Sequence, residues 1–349
     1  MNEKVEFFNE KRIPIESDIR KSGQYPYYGA TGIIDYVKDY IFDGEYVLLA
    51  EDGANILTRN SPIAYITEGR FWLNNHAHIM QMKFGTNYFL LQLLERKNYE
   101  KFNSGTAQPK LNSQVVKNMV FNFPSEEEQS KTGSFFKQLD ETITLHQRKL
   151  DRLKDLKQAY LQQMFPSEGE SVPSVRFTNF NRDWEQRKLE DESIIVAGGD
   201  IDKQKISEVG KYPVLANALT NDGIVGYYKE EYRVEAPAVT VTGRGDVGHA
   251  QARKFNFTPV VRLLAIKSEH DVDFLESAIN NHRVLVESTG VPQLTSPQLG
   301  NYKIYFPSFD EERKIGEFLS NFDHLITLHQ HKLESLNKLK QAYLQKMFI

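Results

Sequence analysis

Residues 139–165 read LDETITLHQRKLDRLKDLKQAYLQQMF, and residues 322–348 read FDHLITLHQHKLESLNKLKQAYLQKMF. Eighteen of the 27 aligned positions are identical at a constant offset of 183, where unrelated residues match at roughly one in twenty. This is a duplicated element, and it organises the rest of the chain. Each copy is a helix by pattern. Ile143, Leu150, Leu153, Tyr160 and Met164, matched by Ile326, Leu333, Leu336, Tyr343 and Met347, fall on one apolar stripe. Arg148, Lys149, Arg152, Lys154 and Lys157 lie between them as a solvated face, and Glu126, Glu127 and Glu128 after Pro124 suit the positive end of a helix. A helix with one apolar stripe needs a partner. The other copy is the economical one, giving an antiparallel coiled-coil pair about 40 Å long. The competing reading is that each stripe docks its helix on its own domain.

The same offset carries upstream: Phe123-Pro124-Ser125 matches Phe306-Pro307-Ser308, and Leu111 matches Leu294. Looser copies precede them, Gly32–Tyr36 with Gly223–Tyr227 and Tyr25-Pro26 with Tyr212-Pro213, and Ser104-Gly105-Thr106 resembles Ser288-Thr289-Gly290. Short β-rich runs such as Glu45–Leu49 and Ala238–Val241 alternate with Gly, Asn and Asp turns. The expected fold class is α+β, with two mixed domains separated by two long helices. The expected boundaries are a first domain at 1–124, its helix at 125–165, a polar Pro-bounded linker at 166–179, a second domain at 180–307 and its helix at 308–349. One scaffold element is kept nearly constant while two domains of common design have diverged, as a reader of two different targets requires.

A length of 349 residues suits about two domains, and 40% hydrophobic with 26% charged residues is an ordinary soluble composition. With no cysteine, a disulfide framework, a Cys-zinc site and a thiol nucleophile are excluded. The first residues carry no apolar export core and nowhere do 18 apolar residues run together, so the chain reads as cytoplasmic, with no membrane partner. A net charge of −4 confines any nucleic-acid binding to a local face.

Thr242–His249, TGRGDVGH, contains the G-x-G-x-x-G spacing of a dinucleotide cradle. Such a cradle needs a helix after it to hold phosphate on free N–H groups. Here a strand leads in, but Gln251–Pro259 has no helical period and ends in proline, so the glycines read as turn residues. There is no P-loop, H-E-x-x-H or G-x-S-x-G motif. His76 and His78 share a strand face without a carboxylate cluster, which favours a structural or base-contacting role over metal ligation. No catalytic residue and no metal site is assigned.

The ingredients of DNA contact are present as a set. In the first domain they are Tyr27, Tyr28, Tyr36, Asn55, Arg59, Asn74, His76 and Lys110. In the second they are Tyr227, Tyr228, Arg233, Arg244, His249, Arg253, Lys254 and Gln293. Lys and Arg neutralise phosphates, while Arg, Asn and Gln read base edges. A scaffold whose two heads bind protein partners is the alternative from another class.

Trp184–Leu189, the Thr242–Gly248 turn, Ser288–Leu294 and above all the duplicated LKQAYLQ-x-MF helices resemble the specificity subunits of type I restriction-modification systems. The resemblance implies two target-recognition domains, each reading half of a split double-stranded DNA site, joined by an antiparallel coiled coil. It also implies two modification (methyltransferase) subunits docked on the helices, and restriction subunits that translocate and cut DNA. S-adenosylmethionine, ATP and Mg would belong to those partners, none to this chain. One departure stands out: aligning Tyr25 with Tyr212 sets Met1 opposite Lys188, leaving the first domain without a counterpart of Trp184.

Overall fold

A computed structural model describes residues 1–105, 107–282 and 292–348. The chain divides into two compact units: unit 1 holds 1–147 and 332–349, and unit 2 holds 148–331.

Unit 1 runs through β1 (Val5–Phe7), β2 (Ser22–Gly29), β3 (Gly32–Val37), β4 (Phe42–Asp43), β5 (Tyr46–Ala50), α1 (Asn55–Thr58), β6 (Ala64–Thr67), β7 (Arg70–Leu73), β8 (Ala77–Met82), α2 (Asn87–Arg96) and α3 (Ser113–Asn118). It then enters α4 (Glu126–Gln163). One sheet has the antiparallel order β1-β8-β5-β6, and a second, β3-β2-β7-β4, contains the parallel pair β2/β7. Strand β5 is buried on both faces. Its alternation sends Val47 and Leu49 to a core with Leu90 and Leu94 of α2, and Leu48 to a core with Phe42 and Phe71 of the second sheet.

Unit 2 repeats this plan with β10 (Ser193–Ala197), β11 (Tyr212–Leu215), β12 (Ile224–Tyr228), β13 (Ala238–Thr242), β14 (Ala250–Arg253), β15 (Thr258–Pro259) and β16 (Leu263–Ser268). The sheets are β10-β16-β13-β14 and β12-β11-β15, the latter with β11/β15 parallel. Before them come β9 (Glu185–Lys188) and the short α5 (Leu189–Glu192). After them come α6 (Val272–Asn281), α7 (Ser296–Gly300), β17 (Lys303–Phe306) and α8 (Phe309–Met347). The antiparallel ribbon β9/β17 has no equivalent among the described residues of unit 1.

The two long helices pack on each unit in matching fashion. Helix α2 is capped by Thr86 and α6 by Asp271, whose side chains accept helix-opening N–H groups. Over these caps lie Gly133 of α4 and Gly316 of α8, where an added Cβ would come within 2.3 Å of Thr86 Oγ1 and Asp271 Oδ1 respectively. Only glycine allows that approach.

The helices also pair with each other, antiparallel in each unit. In unit 1 Phe135 meets Tyr343 and Asp140 meets Lys340 at 2.6 Å, so α8 runs down as α4 runs up. In unit 2 Tyr160 meets Phe318 and Lys157 meets Asp323 at 2.5 Å. These are the same two contacts, exchanged by the offset of 183. Ile143 and Leu336 join the cluster of Phe136 and Leu139 in unit 1, while Tyr160 and Met164 pack on the core of unit 2. Leu150 and Leu333 are buried, and Leu153 and Ile326 are half-buried.

The stripe fails at one end. Tyr343 and Met347 remain 38% and 43% exposed, against 3% for Met164. Leu344 and Phe348 pack on unit 1 instead. Residues 175–184 pack over the end of α4; among the described residues none packs over the end of α8 in that way.

Candidate nucleic-acid interface

Strand β13 is buried along its whole length, so at Thr242 the chain must leave the core and turn. It does so as the tip of the hairpin β13/β14. The Thr242 N–H donates to the His249 carbonyl at 3.0 Å, and the Gly248 N–H donates to the Thr242 carbonyl at 2.8 Å. The helix required of a phosphate cradle is absent; strand β14 follows. Gly243 is held by proximity, since a Cβ there would lie 2.3 Å from the Arg262 carbonyl oxygen and 2.9 Å from that of Leu294.

The tip is clamped to the stretch before α7. The Gly245 N–H donates to the Pro292 carbonyl at 3.1 Å, and the Leu294 N–H donates to the Gly243 carbonyl at 2.9 Å, so that Arg244 bridges Gln293. Asn217 adds a second clamp: its Oδ1 accepts from the Gly243 N–H at 2.6 Å, and its Nδ2 donates to the Arg244 carbonyl at 2.5 Å. The backbone is thus fixed without using the Arg244 side chain. That side chain is exposed and has no ion-pair partner among the described residues. Beside it, Arg262 donates to Gln293 Oε1 at 3.1 Å. Arginine and glutamine are the side chains that form paired hydrogen bonds with base edges.

Unit 1 builds the same clamp at the end of β5. The Gly53 N–H donates to the Pro109 carbonyl at 3.0 Å, the Leu111 N–H donates to the Glu51 carbonyl at 2.7 Å, and Asp52 bridges Lys110. Asp52 is therefore the counterpart of Arg244, and Lys110 that of Gln293. The side chains differ entirely. Glu51 lies 2.6 Å from Arg12 and 3.6 Å from Lys110, and Asp52 meets His76 at 2.8 Å. Below them His78 is buried, with Nδ1 facing the donor Asn9 Nδ2 at 3.0 Å and Nε2 facing the Leu111 carbonyl at 2.7 Å. Those partners fit a neutral ring that carries its proton on Nε2. Burial holds its pKa down, although Glu51 pulls the other way.

The structure sorts the sixteen expected contact residues. His76 and Lys110 share one clamp, and Arg244 and Gln293 the other. His249 lies at the foot of the second hairpin with an exposed edge, and partial desolvation of its ring lowers its pKa. Tyr36 is exposed on β3, and Tyr227 is half-buried on β12.

The others pack or hydrogen-bond within their own unit. Tyr27 and Tyr228 are core residues whose hydroxyls accept the N–H groups of Ile15 and Asp202, each at 2.9 Å. Tyr28 packs against Tyr65 and Phe71. Asn74 is buried and accepts the His76 N–H at 2.8 Å. Asn55 closes its own loop through Ser61. Arg253 is buried, donating to Thr240 and the Asp222 carbonyl, and desolvation lowers its pKa. Arg59, Arg233 and Lys254 are exposed but engaged with Glu95, the Asp200 carbonyl and Asp273. Asn217 and Arg12 were missed as organisers of the two loops; a lone Asn or Arg far away in sequence gives no periodic signal. Ser288–Val291 lie outside the described residues.

Among the described residues no three His, Asp or Glu side chains gather as a metal set, and no helix is long and apolar enough to cross a membrane.

The model of the type I restriction modification DNA specificity domain matches this chain twice, over residues 3–155 and 181–338. The chain belongs to that family. It is 28% identical over 347 residues to a putative type I specificity subunit, S.MpnORF507P of Mycoplasma pneumoniae, covering 94% of this chain and 90% of the relative. The MjaVIII specificity subunit of Methanocaldococcus jannaschii is 21% identical over 97% of this chain and 88% of its own length. The crystal structure of a type I restriction-modification S subunit from M. genitalium shares the fold, with a TM-score of 0.76 at 14% identity over 100% of this chain and 94% of the other. As a type I specificity subunit the chain is the non-catalytic component of its system.

Proposed function

We propose that each unit reads one half of a split double-stranded DNA site through the loop that ends its central strand. The observation that carries this is the equivalence of the two clamps. The backbone is held identically by main-chain bonds, while Glu51-Asp52 with Lys110 and His76 stand where Gly243-Arg244 stand with Gln293 and Arg262. A shared catalytic or cofactor site would keep its side chains; two readers of different sequences would change them. On this reading Arg244 contacts guanine or phosphate, and Asp52 accepts from a cytosine amino group. Residues 1–124 and 180–307 act as the target-recognition domains, with 166–179 linking them and the spacer helices at 125–165 and 308–349 carrying two modification subunits. Restriction subunits join that complex, which works in the cytoplasm, and S-adenosylmethionine, ATP and Mg act in the partners.

The modification subunits dock on helix positions outside the apolar stripe, Lys157 and Gln158 with their copies Lys340 and Gln341; Lys157 and Lys340 also pair with Asp323 and Asp140, and Gln158 and Gln341 are exposed. The deciding experiment co-expresses the chain with a modification subunit and maps methylated adenines across a genome. The expected result is one split motif with a fixed gap. Methylation at an unsplit motif would refute the two-reader arrangement. Binding should also weaken steeply as salt rises.

A further inference from the structure

The hairpin in the second sheet of each unit closes differently. In unit 1 β2/β3 turns on two residues, Ala30 and Thr31, between the paired Gly29 and Gly32. In unit 2 β11 ends at Leu215 and β12 begins at Ile224, and six residues, 217–222, stand between the counterparts Ala216 and Gly223. The longer turn is held from several sides. The Ala216 N–H donates to the Gly223 carbonyl at 2.7 Å, and Asn221 Nδ2 donates to the Ile224 carbonyl at 3.0 Å. Buried Arg253 donates to the Asp222 carbonyl at 3.1 Å, and Gln251 donates to Asp222 Oδ1 at 3.3 Å. Asn221, Asp222 and Gly223 are left-handed in succession, with φ of 50°, 51° and 75°. These residue types tolerate that conformation singly, so a run of three depends on the bonds around it.

The base of the turn is bonded to the loop after β13. Asn217, which clamps Gly243 and Arg244, is the first of the six residues. Leu219 follows two residues later, which sets it at most about 7 Å from Asn217. A base-pair step is about 3.4 Å, so the tip reaches within about two steps of the pair that Arg244 meets. Its chemistry is unlike that of a phosphate contact. Residues 212–228 contain no lysine or arginine, and Asp222 is the one charged residue among them. Leu219 is 48% exposed, and Thr220 beside it is exposed. Apolar side chains and the threonine methyl group match the 5-methyl group that thymine shows in the major groove.

We infer that the tip 217–222 is a second reading element of unit 2, in which Leu219 and Thr220 select a thymine in the major groove beside the pair met by Arg244. The half-site of unit 2 extends beyond the reach of its loop, and the two-residue turn of unit 1 offers no equivalent. This element presupposes that the Arg244 loop meets DNA.

The test uses the full chain assembled with its modification subunit, on duplexes carrying the split motif found by methylation mapping. Deoxyuridine replaces each thymine of both halves in turn, which removes only the methyl group. In the half weakened by Arg244→Ala, at a thymine other than the partner of the methylated adenine, affinity should fall about fourfold, the value of one buried methyl group. Leu219→Ala should abolish that sensitivity and leave the denaturant melt unchanged, and Thr220→Ser should reduce it at the same thymine. The proposal is overturned if that half contains no such thymine, or if the Leu219→Ala complex keeps the full sensitivity. Release of the modification subunit by Leu219→Ala would also overturn it, since the tip would then be a protein contact. Arg244→Ala weakening neither half would instead remove the loop assignment, so the two failures are told apart.

Discussion

The loop after β5 and the loop after β13 leave the core at the same point and are pinned by the same pair of main-chain bonds, yet one presents carboxylates and the other an arginine. In unit 1 the acids are matched by Arg12, His76 and Lys110, whereas in unit 2 the guanidinium of Arg244 is left open. When the backbone carries the structural load, the side chains are released for recognition. Two sites can therefore diverge on one scaffold without retesting its stability.

The sharpest test of that separation lies away from the loops. Trp184→Ala should lower the unfolding free energy of unit 2 by about 3–5 kcal/mol, as for other buried aromatics. Denaturant melts should show a loss of this size. Arg244→Ala should leave the melt unchanged but weaken binding to one half-site by about 1–3 kcal/mol, roughly 5- to 150-fold. Asp52→Ala should act on the other half-site alone. If either variant disturbed both half-sites equally in binding assays, the one-loop-per-half-site assignment would fall.

Acid should separate the halves next. Burial holds His78 below its ordinary pKa, so the unfolded chain takes up the proton first and unit 1 loses stability as pH drops below about 6.5. For His270 burial opposes the charge, but hydrogen bonds to Glu312 at 2.8 Å and Glu192 at 3.2 Å outweigh it and raise the pKa. Its contribution to unit 2 is complete below 6.5 and fades as pH rises through the raised value. Melting curves between pH 5 and 8 should show opposite slopes, with His78→Gln flattening the first and His270→Gln the second. The smallest effect belongs to the seam: Asp323→Asn should cost about 0.2–1 kcal/mol, and Asp140→Asn more, because Asp140 also accepts the Tyr88 hydroxyl at 2.7 Å. Equal losses in paired melts would mean that the Tyr88 hydrogen bond contributes nothing.

Much of this was legible beforehand. The helices are legible because an apolar stripe and a near-identical copy are both visible in one dimension, and both copies lie in long helices, α4 and α8. The false cofactor loop was rejected on the residues that follow it, and the hairpin explains why. The contact residues were harder, because residue type carries no information about burial. Tyr27, Tyr228, Asn74 and Arg253 are polar groups spent on backbone or core partners that lie far off in sequence. Tyr343 and Met347 follow the stripe but stay exposed among the described residues, and periodicity does not report what packs over a face.

That difference in exposure has a kinetic consequence. Amide hydrogens exchange with solvent through local openings, whose free energy is set by how much apolar contact must be broken. Phe306 and Ile304 are sealed beneath β9 and Trp184, while Phe123 and Phe121 are only half-covered. The duplicated chain is therefore a pair of near-twins with unequal lifetimes. The stretch around Val120 should exchange before its counterpart around Lys303.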